Sequence, residues 1–472
     1  MSGTTAKGVV WSGIERFSVQ GVSFLLSLIT ARLVTPKEYG LIAMLAIFMA
    51  VAQTFIDSGF SNALIQKKDR DEVDFSTVFY FNLAVSAVIY VGLYICAPFI
   101  AGFYNQPELT VITRWVGLNL ILGSLSVVQR TRLNIDLNFK LQAKVSLASV
   151  IISGIVGIAM AYNGYGVWAL VAQGLLGNLL TALFLWIAAK WRPLLTFSVN
   201  SFRRMFSFGS KLLVSSLLHT IYLNLYTLVI GKIYNASDVG FYNRAYTISQ
   251  YPSTNIVMII SRAVYPVQCE HQDDDNWLEG MFIVYLRMSC YIVFPLMVLL
   301  AVIAEPLVLT VLTEKWLPAA QLISILAIAY MWTPVMVINN QMLNVKGRSD
   351  LFLKAEIIKK VVALGILFAT LPFGLVWLCA GMFLYSMFDI VVIIHFVKKV
   401  IHAGYRRQFK ALWLITLLTA VCGAVSYLSM TLADNAICKI LVASLCFLLM
   451  FFGGSALLRL SEIRQLKQIL HL

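Results

Sequence analysis

"YNASDVGFYNRA" (Tyr234–Ala245) lies between two long apolar stretches in the second half of a chain of 472 residues. Its core is an acid, a bulky residue, a glycine and an aromatic or aliphatic residue. The same order occurs near the start in "VTPKEYGLIAM" (Val34–Met44). The acids are Glu38 and Asp238 and the glycines Gly40 and Gly240, each pair 200 residues apart. A second echo follows in "YGVWALVA" (Tyr165–Ala172) and "FGLVWLCA" (Phe373–Ala380), where Gly166 and Gly374 are 208 residues apart. Glycine–aromatic corners are common at helix ends. Two such pairs at nearly one spacing point instead to an internal duplication.

Composition says what kind of chain is duplicated. It is 60% hydrophobic and only 12% charged, whereas a soluble domain carries about 25% charged residues. Apolar stretches of roughly 20 residues, long enough to cross a bilayer as helices, recur about fourteen times. The first lies near 9–33 and the last near 436–458. Barrel strands would alternate in polarity over about 10 residues, and no such alternation dominates. The expected fold is therefore all-α and polytopic, with two pseudo-symmetric six-helix lobes over 1–200 and 201–400. Two extra helices and a tail occupy 401–472. Glu15 and Arg16 interrupt the first apolar segment, which is too long for a signal sequence and lacks a small-residue cleavage site, so it is expected to stay as the first helix.

Lys and Arg set orientation, because positive loops stay in the cytoplasm. With an inner N-terminus, the inner loops hold clusters such as Lys67-Lys68-Arg70, Arg130-Arg132, Arg203-Arg204, Lys398-Lys399 and Arg406-Arg407. The outer side holds only Arg32, Lys37, Lys232, Arg244, Lys315 and Lys439. Both termini are expected inside. The acidic loop "CEHQDDDNWLEG" (Cys269–Gly280) departs from this pattern, but acids count little in orientation. The formal charge of +14 follows from the asymmetry and calls for no nucleic acid.

The seven cysteines form no CxxC or Cys/His group, and read as inert thiols. Gly231-Lys232 lacks the remainder of a P-loop, and neither HExxH nor GxSxG occurs. No catalytic or metal-binding residue is expected, which leaves secondary transport or facilitated flipping.

Ionisable residues inside spans cost about 2.5–3.5 kcal/mol each, so they tend to face a wet cavity. Ser12, Arg16, Gln20, Ser23, Ser27 and Thr30 recur every three or four residues, which puts a polar stripe on one face of the first helix. It suits either a cavity wall or serine-mediated packing, with Arg16 and Gln20 favouring the wall. Gln53 and Asp57 are four residues apart in the second span. Asp57 reads either as an ion-coupling carboxylate for a proton or sodium ion, or as a counter-ion at the interface. Ser215, His219, Tyr222 and Tyr226 share one face of the seventh span, where His219 is either a titrating group or a packed histidine. The other span charges are mostly cations, among them Arg262, Arg287, Lys359 and Lys360, with Glu356 and Asp389 the minority. Some can snorkel to headgroups. As a set they suit an anionic cargo, since Arg and Lys pair with phosphate oxygens.

"DSGFSNALIQ" (Asp57–Gln66), "GYGVWALVAQ" (Gly164–Gln173) and "GFYNRA" (Gly240–Ala245) resemble the signatures of Wzx-type bacterial polysaccharide flippases. The similarity is to the colanic-acid and lipopolysaccharide-biosynthesis exporter branch of the multidrug/oligosaccharidyl-lipid/polysaccharide superfamily. It spans essentially the whole chain. The resemblance implies an oligosaccharide on undecaprenyl diphosphate as cargo, moved by alternating access across the bacterial cytoplasmic membrane for capsule, exopolysaccharide or lipopolysaccharide assembly. Membrane lipids, a polymerase and chain-length machinery are the implied partners. On this reading Arg16, Arg262, Arg287 and Lys360 meet the diphosphate, and Gln20, Gln53, His219 and Tyr222 meet sugar hydroxyls. A multidrug exporter of the same superfamily, a lipid II flippase and a membrane-embedded glycosyltransferase or polymerase remain as alternatives. The last lacks a large extramembrane loop or catalytic acid/base group here.

Overall fold

The computed structural model describes the backbone of residues 3–57, 60–67 and 69–463, and the side chains of these except 3–17, 57, 62, 207–212, 214 and 215. Seventeen helices follow one another among the described residues. They are α1 (Gly3–Leu33), α2 (Pro36–Asp57), α3 (Phe60–Gln66), α4 (Glu72–Tyr104), α5 (Leu109–Ile135), α6 (Phe139–Tyr162), α7 (Val167–Ala189) and α8 (Val199–Ile233). Then come α9 (Ala236–Glu270), α10 (Asp275–Val302), α11 (Ala304–Val311), α12 (Pro318–Tyr330), α13 (Thr333–Val345), α14 (Ser349–Thr370), α15 (Leu375–Val397), α16 (Tyr405–Ser429) and α17 (Ala436–Leu457). No strand occurs among the described residues.

Ten described stretches are long and apolar enough to cross a membrane, α12 and α13 together making one. Helices α1, α8, α9 and α14 are as long, but carry more polar and charged residues. The protein is a multi-pass membrane protein. Of the expected fourteen spans, ten stand out by length and apolarity.

The repeated corner is a pair of helix starts. Before α2, the Thr35 N–H donates to Glu38 Oε2 at 2.8 Å and the Glu38 N–H donates to Thr35 Oγ1 at 3.4 Å. This reciprocal capping box is followed by Pro36 in the first helical position, where its missing N–H costs nothing. At α9 the Asp238 N–H donates to Asn235 Oδ1 at 2.9 Å, a simpler cap. The glycines have a shared task. A Cβ on Gly40 would sit 1.6 Å from the Ala236 carbonyl oxygen, and one on Gly240 would sit 2.0 Å from that of Pro36. The first turns of α2 and α9 thus touch backbone to backbone, each through matched positions of the repeat.

The second echo is also structural. Gly166 (φ +56°) and Gly374 (φ +102°) immediately precede α7 and α15, in a backbone region that side chains other than glycine rarely enter.

The chain divides into two compact units, Met1–Gly240 and Phe241–Leu472. In the first, α6 packs against α1 and α7, α5 against α4 and α7, and α2 against α8. Phe60, Phe75, Phe79 and Trp191 form an aromatic cluster. Beside it Glu72 accepts hydrogen bonds from Arg132 at 2.8 Å and from Trp191 Nε1 at 2.6 Å. Backbone N–H groups of Leu194 and Ser198 donate to Ser76 and Thr77, so the segment between α7 and α8 is fastened to the start of α4.

In the second unit α14 packs on α15, α10 on α16, and α16 on α17 around Phe282, Phe294, Met297 and Phe447. Two carboxylates pin its loops. Glu279 accepts from the His402 backbone N–H at 2.7 Å and pairs with Arg407. Glu462, 2% exposed, pairs with both sides of the Arg287 guanidinium.

Candidate functional site

Within the first unit, a chamber of about 780 Å³ opens among α1, α2, α5, α6 and α7. Gln20 and Ser23 face it from α1, Tyr39 from α2, Arg130 from α5, and Ser146 and Ser153 from α6. From α7 come Gln173, Gly174, Gly177, Asn178 and Thr181, positions that lie on one face of a helix of 3.6 residues per turn. Asn178 Nδ2 donates to Asn119 Oδ1 at 2.7 Å, tying α7 to α5 behind the wall. Tyr39 donates to the Ser27 carbonyl at 3.2 Å. Small residues let these helices approach closely, as lipid-embedded helices require. Among the described lining residues Arg130 carries the only charge, and no carboxylate is present. Amides, hydroxyls and a guanidinium offer both donors and acceptors to a polyhydroxylated group and attract an anion.

The second unit holds two further features. A notch of about 480 Å³ lies between α9 and α13, lined by Ser261, Arg262, Tyr265, Asn340, Gln341 and Asn344. Gln341 Nε2 donates to Gln268 Oε1 at 2.6 Å and Ser261 bonds to Gln341. Arg262 itself is exposed, and Asn340 Oδ1 is buried without a hydrogen bond. The other is a groove of about 780 Å³ among α13, α15 and α16, lined by Trp332, Val335, Ile390, Ile394, Phe409 and Trp413 with Arg406 beside them. Apart from Arg406, Gln408 and Thr416 its wall is hydrocarbon or aromatic.

Residues 29–321 match the family described as "Polysaccharide biosynthesis protein" (Polysacc_synt_3). The chain belongs to this family. Among relatives of this polysaccharide biosynthesis protein is the lipopolysaccharide biosynthesis protein WzxC of Escherichia coli (strain K12). The two are 26% identical over 436 residues, which is 90% of this chain and 87% of WzxC. The succinoglycan biosynthesis transport protein ExoT of Rhizobium meliloti (strain 1021) is 23% identical, over 80% of this chain and 77% of ExoT. The solved inward closed structure of the lipid II flippase MurJ superposes with a TM-score of 0.76 at 15% identity, covering 95% of this chain and 99% of that one. At that identity the likeness is one of fold.

The residues expected from sequence fall in different places in the polysaccharide biosynthesis protein. Gln20 lines the polar chamber and Arg262 the notch. Gln53 and Tyr222 are half-buried and His219 is exposed. They lie near the seam of α2 and α8, where Thr54 Oγ1 and Thr220 Oγ1 are 3.1 Å apart. Arg287 is engaged by Glu462, and Lys360 lies 3.8 Å from Glu356. The side chains of Arg16 and Asp57, like those of Ser12 and Ser215, lie outside the described residues. Sequence reasoning missed Arg130 as a wall residue, having placed it in a loop; α5 runs on to Ile135 and carries it within the helix. It also missed the α7 face, whose spacing of Gln173, Gly177 and Thr181 by four carries the signal.

Proposed function

We propose that this protein translocates oligosaccharide repeat units linked to undecaprenyl diphosphate across the bacterial cytoplasmic membrane, by alternating access, for surface-polysaccharide biosynthesis. Both termini face the cytoplasm in this reading, as the Lys/Arg distribution favours. The observation that carries it is the polar chamber of the first unit, with amides and hydroxyls beside Arg130 and no carboxylate among its described lining residues. A diphosphate headgroup with its sugars is anionic and hydroxyl-rich, and cannot cross hydrocarbon unaided. An exporter of organic cations would need the opposite sign in such a wall.

Gln20 then meets sugar hydroxyls within the chamber, and Gln53, His219 and Tyr222 do so along α2 and α8. Arg16 and Arg262 receive the diphosphate. Arg287 and Lys360, already engaged by Glu462 and Glu356, are left to structural work. The polyprenyl chain stays in lipid. Polymerase and chain-length proteins would act on the delivered units.

The test is restoration of polymer in a bacterial strain lacking its own flippase, with lipid-linked oligosaccharide followed in both leaflets. Wild type is expected to restore polymer. Arg16→Ala or Arg262→Ala is expected to cut it at least tenfold with normal membrane insertion, the loss expected of one charge-assisted contact of about 1.5–3 kcal/mol. Full polymer in both variants removes the arginines from the site. Wild type that moves lipid II but no other lipid-linked sugar turns the reading to a lipid II flippase.

A further inference from the structure

Four charged side chains meet where α14 packs on α15, and none of them lines the notch or the groove of the second unit. Lys359 of α14 is 2% exposed, and its Nζ lies 3.3 Å from Oδ1 of Asp389 on α15, itself 8% exposed. Lys359 also pairs with Glu356, one turn earlier, and Lys360 Nζ is 3.8 Å from the other oxygen of Glu356. Two acids and two bases give no net charge. Lys359 lies ten residues into α14, and Asp389 eight residues before the end of α15. These positions correspond to roughly 15 and 12 Å along the helices, and on α15, which is long and apolar enough to cross a membrane, Asp389 falls well inside a hydrocarbon layer about 30 Å thick.

The packing of α14 on α15 does not need these charges. A buried ion pair adds little net stability over apolar side chains of the same volume, so charges at this depth are better explained by a task than by packing. α12 and α13, which also pack on α15, carry no acidic or basic residue. Tyr385 lies one turn before Asp389 on its own helix, and His395 is exposed further along.

The network is also unevenly satisfied. Lys359 has two carboxylates and closes tightly on Glu356. Asp389 Oδ1, although buried, has the 3.3 Å ion-pair contact with Lys359 and no well-aligned hydrogen bond. Glu356 (27% exposed) and Lys360 (36%) form the more open edge of the group.

We propose that Asp389 is a proton-binding site, with Lys359 as the switch that yields to it. Transfer of one proton from hydronium to the Asp389 carboxylate gives a carboxylic acid and water, and takes the group from no net charge to +1. Lys359 then rests on Glu356 alone, and the link between α14 and α15 is released. Loss of the proton restores the bridge. This gives the second unit two states whose balance follows the proton gradient. It rests on the transport reading for its purpose, though not for the proton site itself.

The experiment uses the full chain in lipid vesicles. Infrared difference spectra on acidification should show the carbonyl band of a protonated carboxylic acid. That band should be missing from Asp389→Asn and from the charge-balanced double variant Lys359→Gln/Asp389→Asn, and should return shifted in Asp389→Glu. An imposed proton gradient should speed wild-type movement of lipid-linked oligosaccharide severalfold, leave both asparagine variants unchanged, and have no counterpart with a sodium gradient. A band that survives in both asparagine variants overturns the proposal, as does a double variant that still responds to the proton gradient, or a response to sodium alone. Wild type that shows the Asp389 band yet moves no lipid-linked sugar supports the proton site and rejects the transport reading instead.

Discussion

Gly40→Ala is expected to abolish polymer export and to lower the yield of folded protein, and Gly240→Ala to do the same. The new methyl of the first would lie 1.6 Å from the Ala236 carbonyl oxygen, and that of the second 2.0 Å from the Pro36 carbonyl oxygen. Both obstacles are backbone, so no side chain can swing aside. The helices must separate, and overpacking of this kind costs about 1–3 kcal/mol and at times more. Gly21→Ala and Gly92→Ala are the controls, because nothing lies within 4 Å of either added methyl. In an open helical position alanine is favoured over glycine by about 1 kcal/mol. Thermal unfolding of the purified variants in detergent, beside polymer assays, separates the two pairs. Normal melting of Gly40→Ala would mean that α2 and α9 do not make this backbone contact.

Lys359→Met is expected to be the most damaging single change within the second unit. It removes the cation shared by Glu356 and Asp389 and leaves the Asp389 carboxylate, 8% exposed, without its partner. Removing one member of a buried pair costs about 3–5 kcal/mol, enough to unfold a marginal protein. Adding Asp389→Asn to Lys359→Met takes away the stranded charge and should recover most of the lost thermal stability. A double variant no more stable than Lys359→Met would mean that the aspartate is not what makes the lysine necessary.

These two sites differ in how openly the sequence displays them. The corner at Gly40 and Gly240 is legible because capping chemistry is local. A Thr or Asn stands three residues before an acid, and a glycine follows at a fixed distance, so two copies can be matched by eye. The positive-φ glycines Gly166 and Gly374 are legible for the same reason. The polar chamber is half legible. Gln20 belongs to a stripe whose period gives it away, whereas Arg130 reads as a loop cation, since a charged turn and a charged helix end look alike. The ion pairs between distant segments are not legible at all. Arg287 and Glu462 are 175 residues apart, and Lys359 and Asp389 sit on separate helices with no shared period. What joins them is the packing of α10, α14 and α15, a tertiary fact that no window of sequence contains.

The wall of the chamber in the first unit has a consequence of its own. Amides, hydroxyls and a guanidinium keep one charge state across the whole physiological acidity range. The described part of the wall therefore presents the same charge to its cargo in a mildly acidic or a mildly alkaline medium. Sensitivity of turnover to acidity then enters through other groups of the protein or through the phosphates of the cargo, and a cargo analogue of fixed charge would separate the two at the bench.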